Sequence, residues 1–422
     1  MHSQLRLKRR HSRKTKKKIQ SLSQKRESAA DTLFDGGLCL ENLHVWIHRT
    51  CVWTSWIEVM WWLNKNKKLN VLVVGDKGQL GSYLKKLLQD DSRREKSMFG
   101  IVAGVDLPEV DISNPYPLER WLNRSVVNPP IKFHWAINCA AVTDTTKIET
   151  DKMTRDASYR ANVLGPKSIA EACAWHGAKL VHISTDYVFS EFSETNIAPG
   201  INKIVEFPVN MYGLHKLLGE KMIELAFAKK PKNYMILRTS WLYGNSEASF
   251  PVKFLKSCLE KREVHVVDDC FGRPTSVQYL ARFIASAIKH GAYGKLDAQS
   301  TLDPMSRFDF AKWILEKWRE HVGKIDSSEP NELAMDDVVL LPCKSTEFKT
   351  NVQHPKMMPT SSGTAIPSTS TPDMAIDRVK FKSIVEGTGV ESLPLEMYAQ
   401  WLAEFGGYQM IEKSLREYKK LY

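Results

Sequence analysis

Residues 69–91, LNVLVVGDKGQLGSYLKKLLQDD, constrain this chain more than any other stretch. An apolar, largely β-branched run meets three glycines and then a pattern with helical spacing, which reads as strand, tight turn and helix. Gly75, Gly78 and Gly81 are spaced three apart at the junction. In such a unit the glycines allow the turn, let backbone approach a pyrophosphate and let helix pack closely on strand, while the helix N-terminus offers free amides to an anion. By itself a triple glycine also fits a plain turn. Its position directly behind VLVV makes Gly75, Lys77, Gly78, Gln79, Leu80 and Gly81 the expected dinucleotide cradle.

Further apolar runs follow at 101–106, 134–140, 179–185 and 234–241, with helix-like stretches such as 155–176 and 212–229 between them. Strands that read as continuous apolar runs and alternate with helices imply a parallel sheet covered on both faces. The expected fold is α/β: a Rossmann-type doubly wound parallel sheet with a smaller C-terminal substrate-binding lobe. The expected divisions are an N-terminal extension over 1–68, the nucleotide-binding domain with its lobe over 69–330, a Ser/Thr/Pro-rich insertion over 331–375, and a helical segment over 376–422 that completes the lobe.

The chain carries a formal net charge of +12, which at first resembles a nucleic-acid binder. Residues 1–69 hold 15 Lys and Arg against 5 Asp and Glu, so the body is nearly neutral and nucleic-acid binding by it is not expected. The basic leader is expected to be disordered, with a nuclear or anionic-surface tether as the alternative. The tryptophan-rich stretch 44–63 is interrupted by His44, His48, Arg49 and Glu58, which argues against a membrane span and for an interfacial or partner-binding helix. Seven scattered cysteines without a Cys-x-x-Cys spacing read as reduced thiols of a cytoplasmic protein, and no metal site is expected.

Asp106 closes the second apolar run, where an acid accepts hydrogen bonds from the adenosine ribose. Leu107 follows it rather than a cation, which leans toward NADH over NADPH, although Lys77 could favour either. Asp111 and Ile112 come next, and Ala140 and Ala141 in NCAAVT leave room for close approach where the cofactor crosses the strand ends.

Tyr212 and Lys216 stand four apart on a helical stretch and so share a face. Thr185 ends an apolar strand at the sheet edge where ligands bind. Hydride delivery to a carbonyl builds negative charge on oxygen that must be protonated as it forms. A free phenol titrates near pH 10, and an ammonium about 4 Å away, at an effective dielectric of about 20, would lower that by about three units. Tyr212 is therefore the expected acid, Lys216 its activator and ribose anchor, and Thr185 the group that holds the carbonyl.

These residues resemble the extended short-chain dehydrogenase/reductases, and within them the dTDP-4-dehydrorhamnose reductase family, through GDKGQLG, NCAAVTDTTKIE, ANVLGPKSIAEAC, STDYVF, MYGLHKLLGEK, LRTSWLYG and DDCFGRPTS. The resemblance implies reduction of the 4-keto group of a nucleotide-linked deoxysugar, dTDP-4-dehydrorhamnose to dTDP-rhamnose, with NADPH or NADH. It makes Thr185, Tyr212 and Lys216 the catalytic trio, Thr143, Tyr187, Arg238 and Trp241 substrate-pocket residues, and Asn162 a cofactor-side residue of the same cleft. Departures are Asp269-Cys270 where the family has Asp-Gln, His215 in place of a small residue, and a divergent 190–207 region. Two other functions stay open: a nucleotide-sugar epimerase or dehydratase, and a regulatory role like that of the methionine adenosyltransferase beta subunit, similar to the same family. A homodimer or a heteromer with a related enzyme is likewise open.

Overall fold

The computed structural model describes residues 68–124, 131–189, 206–244, 246–299, 304–323, 333, 335–347 and 415–416. The expectations for the basic leader, the tryptophan-rich stretch, the 190–205 region, 348–375 and nearly all of 376–422 lie outside them.

The main elements in chain order are β1 (Leu69–Val74), α1 (Gln79–Ser92), β2 (Phe99–Val105), α2 (Pro115–Leu122), β3 (Trp135–Asn138), α3 (Thr145–Thr150), α4 (Lys152–Tyr159), α5 (Gly165–His176), β4 (Lys179–Thr185), α6 (Met211–Ala226), β5 (Tyr234–Thr239), α7 (Phe250–Glu260), β6 (Glu263–Val267), α8 (Val277–Lys289), β7 (Gly294–Asp297), α9 (Arg307–Val322) and β8 (Val339–Cys343). Six of the strands form one sheet in the order β7-β5-β4-β3-β1-β2, and every pairing is parallel.

The continuous apolar runs are explained by burial on both faces. Val71 and Val73 of β1 pack into a core with α1 and α8, whereas Leu72 and Val74 pack into a second core with α2, α5 and α6. Alternation along a strand thus feeds two layers of helices, the doubly wound architecture. The strand order reverses beside β1, and in such sheets the crevice at the carboxyl ends on either side of the reversal is where ligands bind.

A third core forms the smaller lobe from α7, β6, α9 and β8, with Phe310, Trp318 and Tyr243 among its fully buried rings. The expected insertion over 331–375 is narrower than its composition suggested. Residues 339–343 pair in parallel with 263–267, and Met335, Val338 and Cys343 are buried. The Ser/Thr/Pro enrichment starts only at Pro355, so the preceding apolar residues were free to join the lobe. Leu415 is also buried in this core.

The stretch read as one helix over 155–176 is α4 and α5 joined by a wide π turn over Arg160–Leu164. Gly177, with φ +70°, ends α5 in the left-handed conformation that lets the chain leave a helix.

Candidate active site

The glycine turn is shaped by close contact. Gly75 has φ +80°, and a Cβ there would stand 2.6 Å from the backbone nitrogen of Ala140. A Cβ on Gly81 would stand 2.0 Å from the carbonyl oxygen of Gly75. The β1 turn, the loop after β3 and the first turn of α1 therefore meet backbone to backbone, leaving the exposed Lys77 and Gly78 and the partly covered Gln79 at the rim, with Leu80 buried beneath. This bare backbone cradle at a helix start fits a dinucleotide pyrophosphate.

Asp106 stands beside the cradle. Its Oδ2 accepts from the Lys77 N–H at 2.9 Å and its Oδ1 from the Leu107 N–H at 2.7 Å. The Lys77 ammonium reaches the Leu107 carbonyl at 2.8 Å and Glu109 at 3.2 Å, so it is tied to the same loop. Asp111 is exposed and closes a turn by accepting from Ser113. Ile112 is buried in the core under Gly165, so its side chain supports the loop from below.

Ala140 lies on the crevice wall, and its N–H donates to Asn138 Oδ1 at 3.1 Å. Ala141 and Thr143 are exposed on the same loop. Asn162 was expected to line the cleft, but it is fully buried. Its amide nitrogen donates to the Val142 carbonyl at 2.8 Å and its Oδ1 accepts from the Val142 N–H at 3.1 Å. It acts by fixing the 140–143 loop from behind, because the wide turn at 160–164 carries it inward.

Thr185 ends β4 at the same edge, and Asn210 caps α6 by accepting from the Gly213 N–H at 2.8 Å, which sets Tyr212 in the first turn. The Thr185 hydroxyl draws the Tyr212 phenol down, against the larger upward push of burial and of Asp186. Thr185 Oγ1 in turn donates to Asp186 Oδ1 at 3.1 Å, and Ser240 donates to Asp186 Oδ2 at 2.6 Å. Burial pushes the Asp186 carboxyl above its ordinary value against the pull of these donors. Tyr187 meets Tyr212 edge-on, with ring centroids 5.5 Å apart.

Lys216 does not do what its spacing led us to expect. It is buried, and its ammonium donates to the Ile183 carbonyl at 2.6 Å, with His182 Nε2 at 3.4 Å. The Tyr212 phenol is raised above its ordinary value by burial and by Asp186, and Lys216 is not among the charges that move it. The helical face was right, but the lysine stem turns inward to the end of β4, and Asp186 is the charge that acts on the phenol. Burial pushes Lys216 down to about 8, against the opposite pull of Glu220. A buried polar ladder results: Ala140 N–H to Asn138, Asn138 Nδ2 with His182 Nδ1 at 3.0 Å, and His182 with Lys216. Burial and the Lys216 charge hold His182 well below its usual value, in the neutral form that such a ladder needs.

Arg238, expected in the substrate pocket, is buried and engaged in ion pairs. Its Nε donates to Glu220 at 3.0 Å and its Nη2 contacts both Glu220 and Glu206 at 2.5 Å. Ser184 and Arg238 are paired in register, and both meet Glu220 on the α6 side of the sheet. Trp241 does reach the lobe side: its indole stacks on Phe310 with centroids 6.5 Å apart and lies beneath the Arg307 guanidinium. Cys270 is buried beside the same group. Sequence reasoning missed Asp186, Ser240, His182 and Arg307 as members of this site. Asp186 directly follows Thr185 and Ser240 directly precedes Trp241, which was a usable signal; Arg307 carried none.

A family model described as the RmlD substrate binding domain matches residues 69–363. The chain belongs to that family. Among relatives, the dTDP-4-dehydrorhamnose reductase of Mycobacterium tuberculosis (strain ATCC 25618 / H37Rv) is 30% identical over 249 residues, covering 58% of this chain and 75% of the relative. The enzyme of that name from Escherichia coli is 31% identical over 225 residues, covering 52% and 67%. A solved dTDP-4-dehydrorhamnose reductase of Bacillus anthracis, in complex with NADP, is 30% identical at a TM-score of 0.52, covering 68% of this chain and 88% of that one. A Thermus thermophilus UDP-glucose 4-epimerase in complex with NAD, 18% identical at a TM-score of 0.50, shares the fold. The family and the fold thus agree with the expectation drawn from the motifs, and the extended short-chain dehydrogenase/reductase architecture accounts for the glycine turn and the trio standing at one sheet edge.

Proposed function

We propose that this chain reduces the 4-keto group of dTDP-4-dehydrorhamnose with NADPH. What supports the reading is Tyr212 in the first turn of α6 with the Thr185 hydroxyl acting on its phenol, in a chain that also holds the backbone cradle of Gly75, Gly78 and Gly81 and whose relatives bear that name.

A bound nicotinamide supplies hydride to the carbonyl carbon. The chain's part is to meet the charge that forms on oxygen. Tyr212, whose pKa is raised, is fully protonated at neutral pH and is a loaded donor. Proton transfer from it becomes favourable as the carbonyl oxygen turns into an alkoxide, a far stronger base than a phenolate. Thr185, oriented by Asp186, shares the oxygen with Tyr212. Lys216 anchors the ribose from the crevice floor, and Gly75, Lys77, Gly78, Gln79, Leu80, Gly81, Ala140 and Ala141 form the cofactor wall. Thr143, Tyr187 and Trp241 face the sugar.

Lys216 gives a pH dependence with a defined sign. Its pKa is lowered to about 8, so its charge is present below that value and lost as pH rises through it. kcat/KM is expected to fall on an alkaline limb centred near pH 8, and Lys216→Arg should remove that limb. A flat profile to pH 9.5 would detach the ammonium from the reaction.

The lean of the sequence toward NADH came from Asp106, whose carboxylate repels a 2′-phosphate; the NADP-bound relative favours NADPH, so Asp106 tempers that preference. Asp106→Asn is expected to raise the kcat/KM ratio of NADPH over NADH about tenfold, or ~1.4 kcal/mol. An unchanged ratio would place the adenosine end elsewhere.

The direct test is to follow NADPH absorbance with the purified full chain and dTDP-4-dehydrorhamnose. Oxidation coupled to formation of dTDP-rhamnose is expected. Tight NADPH binding with no turnover on this sugar would retire the reductase reading.

A further inference from the structure

His182 is fully buried in β4, between the apolar Val181 and Ile183. Register pairs it with Asn138 of β3. Leu180 and Ala136, two residues before each, pack toward α5 and α6, so both polar side chains stand on that face of the sheet, where Lys216 of α6 meets them. An imidazole, an amide and an ammonium, none more than 2% exposed, thus occupy a layer that is otherwise apolar. Burying three polar groups together is costly unless each answers the next.

The hydrogen bonds of this ladder run in one direction. The Ala140 N–H can only donate, and it takes Asn138 Oδ1 at 3.1 Å. That sets Asn138 Nδ2, also a donor only, against His182 Nδ1 at 3.0 Å. Nδ1 therefore accepts, and a neutral imidazole that accepts at Nδ1 carries its proton on Nε2. Nε2 is the atom that faces Lys216 Nζ, 3.4 Å away. An ammonium has three donors and no acceptor, so donor meets donor at that contact. It is longer than the 2.6 Å bond from Lys216 to the Ile183 carbonyl, which is the one acceptor the ammonium has among the described residues. Two of its N–H groups are left for whatever enters the crevice.

The opposite tautomer would act in the opposite sense. Its Nε2 would accept from Lys216, tie a second N–H into the sheet and hold the charge there. The groups that bear on Lys216 are few: burial brings it down to about 8, against Glu220 on α6 and Cys139 just past β3. Burial and Lys216 keep the His182 ring neutral. We propose that His182 is a positioning residue, locked by Asn138 in the Nε2–H tautomer, which withholds an acceptor from Lys216 and so keeps the ammonium's donors turned to the cofactor. The same Asn138 holds the Ala140 N–H on the cofactor wall, so one amide sets both the wall and the lysine. This rests on the reading above for the role of Lys216 toward the cofactor, while the direction of the ladder rests on its hydrogen bonds.

Ring-nitrogen NMR of the full chain labelled with ¹⁵N-histidine, with the His182 signal assigned by its loss in His182→Gln, reads the tautomer. A protonated Nε2 and a lone-pair Nδ1 are expected at neutral pH. A protonated Nδ1, alone or in an imidazolium, overturns the proposal. Asn138→Leu removes the amide without adding charge and frees the ring to turn its Nε2 lone pair to Lys216. The His182 spectrum is then expected to switch to Nδ1–H, and the alkaline limb of NADPH affinity to move up by about one pH unit, a tenfold change in the proton affinity of the lysine. A ladder that only supports the fold would weaken NADPH binding at every pH and leave the limb in place; that result, or a ring that stays Nε2–H without Asn138, overturns the proposal. Should the leucine variant not fold, Asn138→Asp, of the same shape and with acceptors on both sides, carries the comparison through the same spectrum. The two readings separate: the Nε2–H ring and the shifted limb in a chain that never reduces the keto-sugar keep this inference and remove the reductase, whereas turnover by a chain whose His182 carries Nδ1–H does the reverse.

Discussion

Tyr212→Phe is expected to lower kcat for the keto-sugar by about 10²- to 10⁴-fold, the usual worth of a positioned proton donor. The phenol is the titratable hydroxyl on which Thr185 acts, and Thr185 is itself held by Asp186. Phenylalanine keeps the ring, and with it the edge-on contact to Tyr187, so the crevice should hold its shape. NADPH affinity and KM for the sugar should therefore move by no more than a few-fold. A loss confined to kcat identifies the proton donor. A loss of NADPH affinity of the same size would mean that the ring, not the hydroxyl, is what matters.

Glu220→Ala is expected to destabilise the fold by about 3–5 kcal/mol, the cost of breaking a buried ion pair from one side. Glu220 is fully buried on α6, and it accepts from Arg238 and from Ser184, with Lys295 at 3.7 Å. Its removal leaves Arg238, itself buried, with Glu206 as its carboxylate, so the loss is larger than that of a surface pair. In thermal unfolding the midpoint should fall on the order of 10 °C. Glu220→Gln, which keeps the acceptor oxygen, should cost less. Arg238, Lys221 and Lys295 hold Glu206 well below its usual range. A depressed carboxylate stabilises the fold above its unfolded pKa and loses that contribution as pH falls, so the cluster weakens on the acid side. A Glu220→Ala variant as stable as the wild type would show that Arg238 is free to serve the pocket after all.

The sequence made the scaffold legible because burial on both faces writes itself as unbroken apolar runs, and VLVV is the plainest of them. The cradle was legible because glycine is required where backbone meets backbone, at Gly75 against Ala140 and at Gly81 against Gly75. What escaped were the directions of individual side chains. Spacing put Lys216 on the face of Tyr212, yet a flexible stem chose the Ile183 carbonyl. The RTSW motif placed Arg238 near a strand end, but the buried Glu220 on α6 took it as an ion-pair partner, while Ser240, just past the strand, met Asp186. Arg307 lies more than a hundred residues from Tyr187, and only the packing of the lobe brings its charge to bear there.

The five-residue π turn at Arg160–Leu164 has a consequence for how this enzyme family can vary in length. One surplus residue is stored inside an otherwise continuous rod, like an added tooth on a gear. Because the wide turn takes up that residue, the rod beyond it keeps about the angular register of an unbroken helix. Ile169, Ala170 and Cys173 therefore stay in the interior, while the turn itself presents Asn162 to Val142. The surplus residue thus leaves the packed face beyond it undisturbed, and its effect is confined to the turn, where Asn162 grips the Val142 backbone on both sides.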